Sequence, residues 1–297
     1  MWIWQCPYEK TLFINIYYYF NCTLIKRKME KILLQHYRQK IEQHLDNILP
    51  SSRKEPRLLH QAMRYSVFSG GKRLRPVIVL AVSDIIGVEH EKLLSVACGL
   101  ELIHNFSLVH DDLPAMDDDD YRRGRLTCHK KFGEAVAILA GDALLTLAFE
   151  VISDAGSCLL TRAIANAIGS EGMAGGQVLD ICFKGKSVSK SLKKKINDKK
   201  TGRLFQICFE APLYFKKVPV EQASCISRVA KTFGEAFQLR DDIEDREGNT
   251  EDMRKKVEIL YKKMKKDTSF FGEKGKLLSL FLRRKETGIV MLLCSLQ

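Results

Sequence analysis

Six of the ten residues from Asp111 to Asp120 are aspartates, and they directly follow the apolar stretch Leu102 to Val109. Like charge at this density is costly at the end of a core helix, because repulsion raises carboxyl pKa values or splays the segment unless cations bind. A solvated acidic tail is the alternative. A dense set of oxygen donors suits Mg²⁺. Water and phosphate oxygens complete the coordination shell of this ion. Pro114 interrupts the helix, so Asp111 and Asp117 can converge on one side.

A second acidic cluster, Asp241-Asp242-Ile243-Glu244-Asp245, closes another apolar segment. Asp241 and Asp245 are four residues apart, so on a helix their Cβ atoms share one face about 5–6 Å apart. A lone DDxxD pattern is weak evidence for any function. Two acidic clusters that each end a long apolar helix predict two carboxylate sets facing each other across a cavity that holds Mg²⁺ ions.

The rest of the chain is dominated by helical periodicity. Apolar residues recur at three- and four-residue steps from Ile32 to Ile48, which marks one buried helix face. Further apolar helices are expected over Leu58 to Ser69, Pro76 to Ile86, Leu93 to His110, Gly133 to Ile152, Leu159 to Ile168 and Arg228 to Arg240. The sequence contains no repeated strand–turn–strand pattern and no GxGxxG, so we expect an all-α chain rather than a Rossmann domain.

Composition narrows the class of protein and its partners. With 297 residues, 45% of them hydrophobic, the chain can bury a sizeable core and is not disordered. Its net charge of +12 favours anionic partners, but no recognisable module supports nucleic-acid binding. The 9 cysteines include no CxxC pair and stand mostly singly among apolar residues. That pattern favours free thiols in a reducing cytosol, and hence a cytoplasmic protein.

The N-terminal residues 1–28 are expected to be an extension outside the domain, which spans 29–297 as a single unit with an atypical, shortened C-terminal part. Thr11 to Ile25 is the best membrane candidate, but it is shorter than the ~20 residues that a spanning helix needs. Its positive charges, Lys26 to Lys28, come after the apolar stretch rather than before it, unlike those of a secretory signal. We therefore expect no stable membrane insertion, with a targeting role as the alternative.

Basic residues accompany the acidic clusters. Gly70 to Pro76 (GGKRLRP) is a glycine turn followed by three positive charges, and it lacks the GxxxxGK[ST] pattern of a P-loop. Lys72 and Arg75 are three residues apart and can point toward one diphosphate. Arg122 and Arg123 follow the first acidic cluster, and their guanidinium forks suit phosphate oxygens.

Two further stretches, Lys184 to Lys200 and Arg254 to Lys266, are rich in lysine. Such a run is usually a solvated face of a helix or loop. The alternative interpretation is a positively charged rim for an anionic ligand.

Five ordered motifs resemble those of the trans-isoprenyl diphosphate synthases, in particular the bacterial farnesyl diphosphate synthase (geranyltranstransferase) branch. They are GGKRLRP at 70–76, LELIHNFSLVHDDLPAMDDDDYRRG at 100–124, AGDALLTLAF at 140–149, KTGRLF at 200–205 and FQLRDDIED at 237–245. The resemblance runs from about Met29 to Asp245. It implies the isoprenoid synthase fold, a bundle of antiparallel helices around a deep central cavity, in a homodimer.

The resemblance also implies roles for individual residues. The ligands of three Mg²⁺ ions shared with the substrate diphosphate would be Asp111 and Asp117 with Asp112 nearby, and Asp241 supported by Asp242 and Asp245. The residues that grip isopentenyl diphosphate would be Lys72, Arg75, His104 and Arg123. The residues that contact the allylic diphosphate and its carbocation, and so act in catalysis, would be Arg122, Lys200, Thr201 and Gln238.

The activity implied is an Mg²⁺-dependent prenyltransferase that condenses isopentenyl diphosphate with dimethylallyl or geranyl diphosphate to give farnesyl diphosphate, by ionisation, condensation and elimination. Phe106, five positions before Asp111, would close the cavity floor and stop growth at this length, and Pro114-Ala115 point to the same product. Three alternatives stay open: a geranylgeranyl diphosphate synthase, a terpene cyclase or head-to-head synthase acting on an allylic substrate alone, and an impaired homologue that binds prenyl diphosphates without efficient turnover. The last is motivated by the loss of the family pattern after Asp245.

Overall fold

The computed structural model describes residues 23–244 and 250–283, and nearly all of its regular structure is helical. In chain order the helices are α1 Thr23–Ile48, α2 Arg57–Val67, α3 Leu74–Ile86, α4 His90–Asp111, α5 Cys128–Phe132, α6 Glu134–Ser153, α7 Cys158–Ile168, α8 Met173–Phe183, α9 Lys190–Asn197, α10 Arg203–Glu210, α11 Val220–Glu244, α12 Thr250–Thr268 and α13 Gly272–Arg283. The all-α prediction is confirmed.

Shorter elements join these helices. A π-helical turn covers Asp198–Gly202, and 3₁₀ turns cover Ala211–Tyr214 and Ser269–Phe271. The two strands of the described chain, β1 Tyr121–Arg122 and β2 Arg125–Leu126, form an antiparallel hairpin directly after the first acidic cluster.

The helices predicted from periodicity are present, with their ends displaced. Helix α11 begins eight residues before Arg228, and the Pro219 carbonyl accepts its first helical hydrogen bond from the Ala223 amide at 3.1 Å. Six described helices are additional to the predicted ones: α5, α8, α9, α10, α12 and α13. In α8, α9 and α12, glycines or lysine runs obscure the apolar pattern. The domain boundary expected between residues 28 and 29 falls within α1 and stays a prediction.

Helix α4 positions the first acidic cluster. Its side chains Leu93, Leu100, Leu102 and Ile103 are fully buried, and the helix packs against α3 and α6. Burial of each such side chain stabilises the fold by about 1.5–3 kcal/mol. Because α4 ends at Asp111, this packing fixes where the cluster begins.

A buried arginine holds the glycine turn before α3 in place. Arg73 has a left-handed backbone, with φ of +50°, and its side chain is almost fully buried. Its Nε donates to Glu42 at 2.7 Å, and its Nη1 donates to the buried Glu101 at 3.2 Å. Its Nη2 donates to the Val67 carbonyl at 2.7 Å. One guanidinium therefore ties α1, α2 and α4 to the turn that carries Lys72 and Arg75.

Two described helices, α4 and α6, are long and apolar enough to cross a membrane by length and composition alone. This is weak evidence, because core helices of soluble proteins have the same composition. In α4, 61% of the apolar window is buried inside the fold, and in α6 39% is buried. Helix α6 therefore leaves part of an apolar surface exposed.

Cysteines within the described residues are free thiols, as the sequence predicts. Burial raises the pKa of the Cys208 thiol to about 12, so this thiol stays protonated and unreactive at neutral pH.

Candidate active site

The first acidic cluster folds back on itself, as its proline predicts. After α4 ends, the chain turns at Pro114, and the amide of Asp117 donates a 2.9 Å hydrogen bond to the carbonyl of Asp111. The pKa of the Asp111 carboxyl is raised to about 6, mainly by burial. The charge of Lys200 opposes this rise, and the charge of the nearby Asp117 adds to it. The two aspartates six residues apart therefore lie close together, with Lys200 as the main nearby cation.

Asp112 has a different main partner from this pair of carboxylates. Its buried carboxylate accepts a 2.6 Å hydrogen bond from Arg122 Nε, and Arg122 Nη2 also reaches Asp119 at 3.2 Å. Burial raises the pKa of Asp112, and its contact with Arg122 partly offsets the rise. In this structure Asp112 and Arg122, predicted to contact metal and diphosphate respectively, are paired with each other.

The second acidic cluster lies at the end of α11. Asp242 is buried, accepts a 3.1 Å hydrogen bond from Gln238 Nε2, and has Lys193 Nζ 3.5 Å from its other oxygen. Burial lowers the pKa of the Arg75 guanidinium, and Asp241 lies close enough for its charge to offset part of that shift. Asp245 lies outside the described residues.

A cluster of nitrogen donors lies beside Asp241. It contains the cationic Arg75 and Arg123 and the neutral His104. Burial, followed by the positive charges of Arg75 and Arg123, holds the pKa of His104 well below its usual value, so its imidazole is neutral at pH 7. The Arg75 guanidinium stacks 4.4 Å from the Phe205 ring centroid, and its buried Nε has no hydrogen-bond partner. A buried donor without a partner is costly, and an anionic ligand at this point would relieve that cost.

The glycine turn brings Arg123 to the same cluster. Arg123 Nη1 donates to the carbonyl of Gly70. Gly71 has φ of +130°, and a Cβ there would lie 2.7 Å from Arg123 Nη1, so no other residue fits without moving the arginine. Lys72 is exposed on the same turn, where Arg38 Nε donates to its carbonyl at 3.2 Å.

Lys200 and Thr201 lie in the π-helical turn, a type of distortion that is frequent at functional sites. Helix α8 approaches this turn so closely that a Cβ on Gly176 would lie 2.4 Å from the Lys200 amide nitrogen. One turn further along α8, Asp180 accepts a 2.6 Å hydrogen bond from Lys200 Nζ. Asp180 is not among the residues predicted from the sequence, although its position four residues after Gly176 places it on the same helix face.

Phe106 lies on α4, in the helix that leads to Asp111. Its ring packs edge-to-face against His110, with the centroids 4.9 Å apart, and is only partly buried. The ring is therefore partly accessible and lies on α4 just before the first acidic cluster.

The donor set fits a divalent cation shared with a phosphate ligand. Within residues 23–244 and 250–283, no group of three or more His, Cys, Asp or Glu side chains is arranged to hold a metal alone. Mg²⁺ commonly binds one or two protein carboxylates, with water and phosphate oxygens completing its shell. Asp111 and Asp117 offer such a pair. Burial is the main cause of the raised pKa of Asp111, the charge of Asp117 adds to the rise, and a bound cation would oppose both effects.

Comparison with known proteins places this geometry in a family. The family description "Polyprenyl synthetase" matches residues 56–261. The farnesyl diphosphate synthase of Bacillus subtilis is 43% identical over 210 residues, 68% of this chain and 71% of that protein. The chloroplastic geranylgeranyl pyrophosphate synthase of Capsicum annuum is 40% identical over 210 residues, 68% of this chain and 57% of that protein. A crystal structure of a geranyltransferase from Legionella pneumophila superimposes with a TM-score of 0.82 and 33% identity, covering 88% of this chain and 99% of that one.

Proposed function

The chain belongs to the polyprenyl synthetase family and is a prenyltransferase; on that premise we propose that it condenses isopentenyl diphosphate with an allylic diphosphate to give farnesyl diphosphate. The observation that supports the proposal is the presence of two separate groups of basic residues, each suited to bind a diphosphate. One contains Arg75, His104 and Arg123, and the other contains Lys200 beside Asp111. A condensing enzyme needs two diphosphate sites, whereas a cyclase of one substrate needs only one.

Arg75, His104 and Arg123 are suited to bind isopentenyl diphosphate. Arg75 has an unpartnered buried Nε, and Arg123 is held on the glycine turn next to Lys72. The neutral imidazole of His104 donates one hydrogen bond without taking up a proton from the ligand. Together these groups hold the non-allylic substrate with its double bond next to the allylic carbon, which replaces a bimolecular encounter by a positioned reaction.

The allylic diphosphate is proposed to bind between Lys200 and the acidic clusters. Asp111, Asp117 and Asp241 would hold Mg²⁺ there, and the bound ions would supply Lewis-acid charge that makes the diphosphate a good leaving group. Lys200 donates to the same diphosphate, and its contact with Asp180 fixes its position. Gln238 and Thr201 provide an amide oxygen and a hydroxyl that can face the allylic carbocation.

The remaining steps depend on excluding water. Apolar side chains of α4 and α10 can serve this purpose, since Phe205 is buried against Phe237 and Phe106 packs against the core. A carbocation in such surroundings is attacked by the positioned double bond of isopentenyl diphosphate rather than by water. Loss of a proton, with the released pyrophosphate as acceptor, then forms the new trans double bond.

Product analysis tests this function. Purified protein with Mg²⁺, geranyl diphosphate and isopentenyl diphosphate should release pyrophosphate and a farnesyl product. A geranylgeranyl product would instead support the alternative that the Capsicum annuum relative represents. No product at any Mg²⁺ concentration would reject the proposal in favour of an impaired homologue, and turnover of the allylic substrate alone would favour a cyclase.

The protein is also proposed to be a cytoplasmic homodimer. Helix α6 exposes Ile138 (44%) and Leu139 (57%), and contiguous exposed apolar surface of this kind marks an interaction site. A second copy of the chain that packs on this face would bury it. The free thiols of the described cysteines agree with a reducing compartment.

A further inference from the structure

Two lysines from one basic segment reach the two acidic clusters. Lys184 Nζ lies 3.1 Å from Asp117 Oδ1 in the first cluster. Lys193 Nζ lies 3.5 Å from Asp242 Oδ2 in the second cluster. Lys184 is the C-cap of α8, and Lys193 lies on α9, so both belong to the lysine run that ends at Lys200.

We propose that Lys184 and Lys193 are internal counter-ions that bind the two acidic clusters in the ligand-free chain and transfer to diphosphate oxygens when metal and substrate bind. This proposal rests on the proposed function of the same site. It assigns Lys184 and Lys193 a direct part in substrate binding, rather than the role of a solvated face.

The charges and exposures of the two pairs allow this exchange. An ammonium group beside a carboxylate opposes the binding of a second cation to that carboxylate. The Lys184 side chain is 63% exposed and that of Lys193 is 40% exposed, so a change of rotamer along the four-carbon stem can move either ammonium group. Partly exposed ion pairs of this kind contribute little to stability, so a divalent cation displaces them at small cost.

After a metal ion has displaced the two lysines from their carboxylates, their ammonium groups are still close to the diphosphate that binds with the metal. Asp117 is adjacent to the proposed allylic diphosphate, and Asp242 follows Asp241 on α11. A diphosphate between the clusters then offers each ammonium group a stronger partner than a carboxylate that already binds metal.

Neighbouring lysines supply matched controls. Lys194 carries the same charge on the same helix, but pairs with Asp198 at 2.9 Å. Lys186 lies two residues from Lys184, and its Nζ donates to the Cys182 carbonyl at 2.8 Å. Replacing either removes one positive charge from the segment without removing a contact to an acidic cluster.

The test measures binding by titration calorimetry, without turnover, on the full chain. The variants are Lys184→Ala and Lys193→Ala, with Lys186→Ala and Lys194→Ala as controls, and thermal melts establish that each is folded. Mg²⁺ alone should bind the first two variants roughly two- to five-fold more tightly than it binds the controls, the range that loss of one such ion pair allows. Inorganic pyrophosphate with saturating Mg²⁺ should bind the first two variants more weakly than the controls.

Equal Mg²⁺ affinity in all four variants would overturn the proposal, as would undetectable Mg²⁺ binding in every one of them. Unchanged pyrophosphate affinity would overturn the transfer to substrate, and with it the proposal. A separate product assay reports on the proposed function. Failure of that assay with the expected shifts in affinity would reject the condensation while the counter-ion exchange stands.

Discussion

The amide nitrogen of Asp117 lies 2.9 Å from the carbonyl oxygen of Asp111 and donates a hydrogen bond to it. This bond closes the turn at Pro114 and places two carboxylates at the end of one buried helix. Neither helical periodicity nor an extended chain would bring residues six apart so close. The turn therefore converts an acidic run into a pair of metal-ligand candidates.

Replacing Asp117 by asparagine should lower kcat/KM for the condensation by about 100-fold or more, because it removes one charge that stabilises the departing diphosphate through bound cations. Steady-state assays with geranyl diphosphate and isopentenyl diphosphate at saturating Mg²⁺ measure the effect. Asp118→Asn is the matched control. Asp118 has φ of +56°, which asparagine tolerates, so this variant should keep close to full activity. Equal losses in both variants would contradict a specific role for Asp117.

Product length should depend on Phe106. Phe106→Ala removes the ring before the first acidic cluster and leaves more room for the growing chain, so the product should shift from farnesyl toward geranylgeranyl diphosphate. Chromatography of the dephosphorylated products measures the shift. Phe132→Ala, which removes a ring that packs against Tyr65 instead, serves as control and should leave the product unchanged. A farnesyl product from Phe106→Ala would show that another wall limits growth.

Because of Tyr37, the free energy of unfolding should depend on pH in the alkaline range. Its fully buried hydroxyl donates to Asp84, and burial, followed by the charge of Asp84, raises the pKa of Tyr37 well above its usual value. The stability that this shift contributes is complete below the ordinary tyrosine pKa of about 10 and is lost as pH rises through the folded value. Tyr37→Phe should cost about 1.5–3 kcal/mol at pH 8, the range for a hydrogen bond to a charged group.

Urea unfolding between pH 8 and pH 11 tests this expectation. The difference in unfolding free energy between wild type and Tyr37→Phe should narrow above pH ~10. A constant difference over the whole range would show that Tyr37 does not titrate as the structure implies.

The exposed face of α6 should hold two copies of the chain together. Leu139→Glu places a charge on this face and should convert a dimer into a monomer in sedimentation velocity experiments, because a buried unpaired charge is costly. Leu159→Glu is the control, since Leu159 is equally apolar and 66% exposed but lies on α7. If both variants remain dimeric, the interface lies elsewhere.

Part of this site was predictable from the sequence alone. The acidic clusters end helices α4 and α11 as the apolar periodicity implies, and Pro114 predicts the turn that joins Asp111 to Asp117. Other features depend on packing between distant segments and leave no local pattern. The contact between Asp180 and Lys200 needs the close approach of α8 at Gly176.

The pairing of Asp112 with Arg122 could not be predicted from the sequence either. It needs the hairpin after the cluster to fold back, since β1 carries Arg122 onto the buried carboxylate. The sequence identified both residues as part of the site, but only the tertiary arrangement determines that they contact each other.

The central claim is that the two acidic clusters share divalent ions with one diphosphate. Crystals of the protein grown with Mn²⁺ and inorganic pyrophosphate, measured at the manganese absorption edge, test it most directly. We expect anomalous peaks beside the carboxylates of Asp111 and Asp117 and a further peak beside Asp241, all in contact with the same pyrophosphate. Pyrophosphate bound with no ion at either cluster, or ions at one cluster only, would contradict the account.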